Sequence, residues 1–191
     1  TPVEAPIQLA ALDGTQGFSI IEGANHDFWN GTSIHSDLNR DGVDDLSKRP
    51  IVFAFNGGPG SSSVWLHLGV LGPRRVLLDD DGMPFPPPGR LVANEHSILD
   101  VADLVFIDPV GTGYSRAIPN EEAKDFHHFK KDIEAVGEFV RLYLTRHKRW
   151  GSPKFLAGES YGTTRSAGLA GHLYSRHGIT FNGLMLISSI L

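Results

Sequence analysis

The sequence predicts an α/β protein, with a mostly parallel sheet covered by helices on both faces. Three observations predict it. Short runs that are apolar throughout recur at 50–55 (PIVFAF), 103–109 (DLVFIDP), 154–158 (KFLAG) and 181–190 (FNGLMLISSI), as strands buried on both faces require. Helical patterns separate them, which suits parallel strands joined by crossovers. Glycine-rich turns at 56–60, 111–113 and 158–162 follow the first three runs. Ligands in such sheets bind beyond the carboxyl ends of the strands, so these turns are expected to converge on one crevice.

The elements follow in order. Residues 1–16 read as a loose arm, and GFSII at 17–21 as a short strand. NGTSIHSDLNRDGVDDLSKRP, at 30–50, is rich in turn formers and reads as a loop or hairpin region. Residues 1–49 thus form an N-terminal arm and hairpin region, and the main α/β domain occupies 50–191. SVWLHLGVL at 63–71 predicts a short helix, and DDDGMPFPPPGR at 79–90 a proline-rich loop with few amide donors. Phe126, Phe129, Ile133, Val136, Val140 and Tyr143 recur at spacings of three and four. They predict an amphipathic helix over about 120–149, with basic RHKR near its end, as the helix dipole favours. A second long helix is expected over 161–177, stopped by Gly178. No internal repeat appears.

Composition bounds the function. The chain has 191 residues, 40% apolar and 20% charged, with a net charge of -5 and no cysteine. That length fits one domain with a sizeable core. The acidic balance gives no footprint for nucleic acid or an anionic membrane. Disulfides, thiolate catalysis and cysteine-ligated metals are excluded. No apolar run is long enough to span a bilayer. TPVEAPIQLAALDG lacks the basic start and apolar segment of an intact signal peptide. Export to the periplasm or beyond is the expectation for the compartment.

Gly158-Glu159-Ser160-Tyr161-Gly162 has the form Gly-x-Ser-x-Gly, with a strand before it and a helix after. That context marks a nucleophilic serine on a sharp turn, where neighbouring positions leave room only for glycine. The helix N-terminus favours developing negative charge. The plain alternative is a strand-to-helix turn with a serine cap. NGGPGSSS, at 56–63, places glycine amides where they can face an anion. The Gly-Lys-Ser/Thr ending of a phosphate loop is absent. Beside GESYG, an oxyanion-hole role is the better reading: acyl transfer needs one amide just after the nucleophile and another from an earlier strand's loop.

FNGGPGSSS, FIDPVGTGYS and GESYG, in this order and at these spacings, resemble the serine carboxypeptidases of the α/β-hydrolase fold. FNGGPGSSSVWLHLGVLGPRRV resembles the bacterial branch. The likeness covers about residues 50–191. It implies release of the C-terminal residue of a peptide through an acyl-enzyme on Ser160. It further implies an oxyanion hole from the amides of Gly58 and Tyr161, and binding of the substrate's terminal carboxylate by Asn56 and Glu159, with Gly57 beside them. A glutamate accepts a hydrogen bond from a carboxylate only if one of the two carries a proton, and pairing two carboxyls raises the pKa of one. The family's preference for acid would follow. One departure stands out: Val70 occupies a position where many members carry glutamate, so a smaller network around Glu159 is expected.

In this fold the triad runs Ser, Asp, His along the chain. The aspartate and histidine are expected beyond Leu191, so the chain is expected to be the N-terminal portion of a longer enzyme. It would be truncated after the strand that follows the nucleophile helix and inactive alone. No histidine within it is expected to serve as base. His172 would stand roughly 18 Å from the helix start, at about 1.5 Å rise per residue. His67 is expected on a helix face, and His127 and His128 in solvent. Asp108 belongs to the DPVG turn. The expected partner is a peptide with a free C-terminal carboxylate. The strand at 181–190 would expose an apolar edge, open to the remaining portion of the enzyme or to self-association.

Catalysis of this kind needs no cofactor. A structural calcium site is a separate expectation: Asp37, Asn39, Asp41 and Asp45, with Gly42 at the turn, match part of a calcium loop. Lys48 stands where an EF-hand needs glutamate, and a solvated acidic hairpin is the alternative. Two other functions remain open from the residues alone: an esterase or acyltransferase of the same fold, and a non-catalytic peptide-binding homologue.

Overall fold

The computed structural model describes residues 7–10, 16–22, 47–117, 120 and 122–190. The proposed calcium loop at 37–45 lies outside them. A seven-stranded sheet is built from β1 (Ile7–Ala10), β2 (Gln16–Glu22), β3 (Ile51–Phe55), β6 (Asp103–Asp108), β7 (Arg116–Ala117), β8 (Lys154–Glu159) and β9 (Gly183–Ile187). Its order is β1-β2-β6-β3-β8-β9, with β7 paired to β2. The strands β6, β3, β8 and β9 run parallel, and β1 and β2 join antiparallel. β4 (Arg74–Val76) and β5 (Leu91–Ala93) form a separate hairpin.

The sequence places a loose arm where β1 lies. Ile7–Ala10 pairs residue for residue with Gly17–Ile20, and β2 in turn pairs with β6. That order comes from a neighbouring strand and leaves no periodic mark in the arm itself.

Alternation within buried strands divides the core in two. Ile51, Phe53 and Phe55, with Val105, Ile107 and Leu156, pack against α2 (Phe129–Arg146) and α3 (Tyr161–His177). Val52, Ala54, Leu104, Phe106 and Ala157 face the opposite side, against Leu66 and Leu71. These two belong to one α-helical turn, α1 (Val64–Leu66), which widens into a π turn over His67–Leu71. The short helix expected there is formed, with π geometry over its second part. Side chains from the following segment capture the carbonyls the wider turn presents: Asn94 Nδ2 donates to Val70 O (2.9 Å) and Gly72 O (2.8 Å), and Ser97 Oγ to Leu71 O (2.7 Å). The long helix expected over about 120–149 is also divided. A 3-10 turn at Ala123–His127 precedes α2, and His128 is extended between them (φ -78°, ψ 132°). That backbone is the usual one for a residue that begins a helix.

β9 lies at the edge of the sheet among the described residues. Met185 and Ile187 pack on the α1 side, whereas Leu184 and Leu186 on the other side are 39% and 50% exposed. At the opposite end of the strands, Asp103 accepts from two buried arginines. Arg49 Nε lies at 2.9 Å and Arg149 Nη1 at 2.5 Å, and Arg149 Nη2 also donates to Arg49 O at 2.9 Å. No helix among the described residues is long and apolar enough to cross a membrane.

This packing can be probed at two points. Asp103 is one-third exposed but both arginines are buried, so its loss leaves their charges uncompensated, and Asp103→Ala should lower the unfolding free energy in urea by roughly 1–2 kcal/mol, less than for a fully buried pair. His147 stacks on Tyr143 at 4.2 Å. Burial, then the charges of Arg146 and Arg149, push its pKa from 6.5 down to about 4. Between those values the unfolded chain takes up the proton first, so stability falls as pH drops through that window. His147→Phe should flatten this part of the pH–stability curve; an unchanged slope would contradict the assignment.

Candidate active site

β8 runs into Ser160, where the chain turns sharply into α3. Ser160 has φ 56° and ψ -124°, a conformation that costs a non-glycine residue roughly 1–3 kcal/mol and persists only where its surroundings enforce it. The enforcing contacts are present. Ser160 N donates to Ile187 O of β9 at 3.0 Å, while Ser160 O accepts from Thr163 N (2.9 Å) and Thr163 Oγ1 (2.7 Å). The two glycines of the motif are sterically required. A Cβ on Gly158 would stand 2.0 Å from Gly162 O, and one on Gly162 would stand 2.8 Å from Phe55 O.

The loop after β3 meets this turn directly. A Cβ on Gly57 would lie 2.5 Å from Tyr161 N and 2.7 Å from Glu159 O. The expected convergence of the first and third glycine turns is therefore observed, and Gly57 permits it. Tyr161 opens α3, so its N–H has no acceptor within the helix. Gly58, at φ +106°, carries the other candidate donor on the facing loop. The middle turn joins through His127, whose ring is about 3.5 Å from where a Cβ on Gly60 or Gly111 would be.

Asn56 and Glu159 lie side by side. Leu66 N donates to Asn56 Oδ1 at 3.0 Å, which orients the amide. Asn56 Nδ2 then faces Glu159 Oε2, also at 3.0 Å. An amide nitrogen carries two protons, and Glu159 takes one. Val70 presents a half-exposed side chain.

Asp108 is a structural carboxylate. It is buried, accepts from Ser63 N at 2.7 Å, and abuts Gly113 so closely that a Cβ there would lie 1.8 Å from Oδ2. Ser63 Oγ also donates to Ile107 O. These bonds fix the start of α1 to the end of β6. Three of the described histidines have defined surroundings. His67 packs on Phe106 with ring centroids 4.7 Å apart, and burial lowers its pKa. His172 lies beside Gly137 of α2 and edge-on to His177. His127 is exposed, as expected.

Sequence reasoning missed the polar group beneath this site. Arg165 (0% exposed) pairs with Asp132 (2%), and Tyr161 Oη donates to Asp132 Oδ2 at 3.1 Å. Burial, followed by the Asp132 charge and hydrogen bond, pushes the Tyr161 phenol up to about 12. It stays protonated and donating at ordinary pH. A signal was present: Arg165 shares a helical face with Leu169 and Leu173, and Asp132 adjoins Ile133 in the apolar stripe.

The sequence profile of the serine carboxypeptidase family matches residues 40–190. The chain belongs to the serine carboxypeptidase family. Among its relatives, the pheromone-processing carboxypeptidase KEX1 of Saccharomyces cerevisiae is 36% identical over 122 residues, covering 63% of this chain and 14% of that protein. Serine carboxypeptidase-like 33 of Arabidopsis thaliana is 31% identical over 134 residues, covering 69% of this chain and 26% of that protein. A crystal structure of a prohormone-processing carboxypeptidase, KEX1(delta)p from Saccharomyces cerevisiae, superposes with a TM-score of 0.53 and 24% identity, over 90% of this chain and 38% of that one. A proline iminopeptidase-related protein from Thermus thermophilus gives 0.51 and 14%, over 96% of this chain and 44% of that one. These likenesses identify the α/β-hydrolase fold. The chain thus spans a minor part of its serine carboxypeptidase relatives.

The steric fit at Gly57 gives a test. Gly57→Ala should push the 56–60 loop away from the Ser160 turn and, if that loop supplies an oxyanion donor, slow fluorophosphonate phosphonylation of Ser160 by about 100-fold, the cost of one such donor. The readout is adduct formation by mass spectrometry, with Ser160→Ala as the blank.

Proposed function

We propose that this serine carboxypeptidase family member removes C-terminal residues from peptides, with Ser160 as nucleophile. Ser160 Oγ attacks the last peptide carbonyl, and the amides of Gly58 and Tyr161 stabilise the oxyanion. The terminal residue leaves, and water resolves the acyl-enzyme. The observation that carries this reading is the Asn56–Glu159 bond beside the strained Ser160 turn. It supports the reading because an amide donor and a carboxyl group adjoin the residue assigned as nucleophile, as binding of a terminal carboxylate next to the scissile bond needs. The second proton of Asn56 Nδ2 is assigned to that carboxylate, and Glu159 or the substrate carries the proton they share.

The base and its orienting carboxylate are assigned to chain beyond Leu191, on loops after later strands. The small share of each relative covered here supports that assignment. We assign the exposed side of β9 to the same portion, with self-association through this edge as the alternative. An exported location belongs to the same reading, and ordered calcium at Asp37, Asn39, Asp41 and Asp45 remains a separate structural proposal.

Glu159→Gln should raise KM for free-carboxylate peptides by about tenfold and shift the pH profile, with a smaller effect on kcat, because it changes a binding group rather than the nucleophile. Peptides amidated at the C-terminus should be poor substrates. An enzyme that hydrolyses small esters and ignores peptides would point to an esterase or acyltransferase instead. Peptide binding without Ser160 labelling would point to a non-catalytic binder.

A further inference from the structure

A charge is buried at a cost unless it is paired and hydrogen-bonded, and an apolar group of similar size often stabilises as well or better. The wholly buried Arg165 therefore invites a reason beyond packing. Its contacts supply one. Nε lies 3.0 and 2.9 Å from the two Asp132 oxygens. Nη1 donates to Asn56 O at 2.7 Å and Nη2 to Pro59 O at 3.4 Å. Those carbonyls flank Gly57 and Gly58. The guanidinium carbon stands 5.3 Å from the Phe55 ring centroid and 5.2 Å from that of Tyr161. One side chain thus touches both segments that carry the oxyanion donors.

The loop's remaining freedom is limited by Ser61 N, which donates to Gly57 O at 3.0 Å. In a trans peptide the C=O and N–H of one unit point in opposite directions. Holding Gly57 O while Arg165 holds the carbonyls on either side fixes the direction of the Gly58 N–H. Asp132 is attached to α2 and also binds the Tyr161 hydroxyl, so the same carboxylate steadies the second donor's residue. Lysine could not reproduce this. Its ammonium is a compact charge, whereas bridging Asp132, Asn56 O and Pro59 O needs the planar fork of arginine.

We propose that Arg165, oriented by Asp132, is a positioning residue that sets the Gly58 amide against the Tyr161 amide and so fixes the width of the oxyanion hole. Its effect on rate rests on the carboxypeptidase reading; its effect on the loop does not. Neither residue touches substrate, so their loss acts on the step in which the oxyanion forms rather than on peptide affinity.

The test compares Arg165→Lys, Arg165→Met and Asp132→Asn with a control on the α2 surface, Arg141→Lys. Hydrogen exchange is followed by mass spectrometry, and kcat, KM and Ser160 labelling are measured on the complete protein. Arg165→Lys should keep β3, β6 and β8 protected while segment 57–61 exchanges about tenfold faster. It should lower kcat by about 10–100-fold with KM changed by less than about threefold. Asp132→Asn should reproduce both effects, and the double variant should be little worse than either, as expected for residues acting as a unit. If Arg165→Met fails to fold, Arg165→Lys and Asp132→Asn decide. Wild-type exchange over 57–61 in those two variants overturns the proposal. A loosened loop with unchanged kcat overturns its link to the oxyanion hole. A loosened loop in a protein that never labels at Ser160 supports the positioning role and contradicts the carboxypeptidase reading instead.

Discussion

A serine held at φ 56° and ψ -124° must be braced from outside, and the bracing organises this molecule. β9 takes the Ser160 amide, and Thr163 takes its carbonyl twice. The space that remains admits glycine alone at 158 and 162, and glycine again at 57 on the loop that closes over the turn. Ser160 cannot relax into the helix that follows without giving up these contacts. The parallel order β3-β8-β9 is what brings all three suppliers to one end of the sheet.

Polar residues at two levels then hold the crevice to the core. Near the surface, Asn56 links Glu159 to the backbone of α1. Beneath it, the Arg165–Asp132 pair joins α2, α3 and the 56–59 carbonyls. A third group, Asp108 with Ser63, ties the end of β6 to the start of α1. Each uses a buried side chain to satisfy backbone groups that a glycine-rich loop cannot pair with itself. The two hydrophobic layers supply burial; these polar links decide where the loops sit on it.

Much of this was legible in the sequence, for identifiable reasons. The runs around Ile51–Phe55 and Leu104–Ile107 are apolar enough to mark buried strands, and Leu184–Ile187 enough to mark a strand, though one face of it stays half-exposed among the described residues. The glycines at 57, 58, 158 and 162 stand where steric demand leaves little choice. Other features depend on distant partners. β1 exists by pairing with β2, the wide turn at 67–71 presents carbonyls that Asn94 and Ser97 take up from a later segment, and His128 interrupts a helical pattern that continues on both sides. Arg165 and Asp132 could be read as polar residues on apolar faces, but their pairing spans two helices, and their grip on Asn56 O needs the fold. Family likeness gave Asn56 and Glu159 a common ligand, but no local pattern in the residues pairs them with each other, and their contact is visible only in the fold.

The proposed function requires Ser160, Gly58, Tyr161, Asn56 and Glu159 to form one acyl-transfer site. The decisive experiment is a crystal structure of the complete protein with a peptidyl phosphonate that ends in a free carboxylate. A single site requires a covalent bond to Ser160 Oγ, with the phosphoryl oxygen within about 3 Å of the Gly58 and Tyr161 amides and the carboxylate on Asn56 and Glu159. An adduct on another residue, or a phosphoryl oxygen turned to solvent with the carboxylate elsewhere, would refute it.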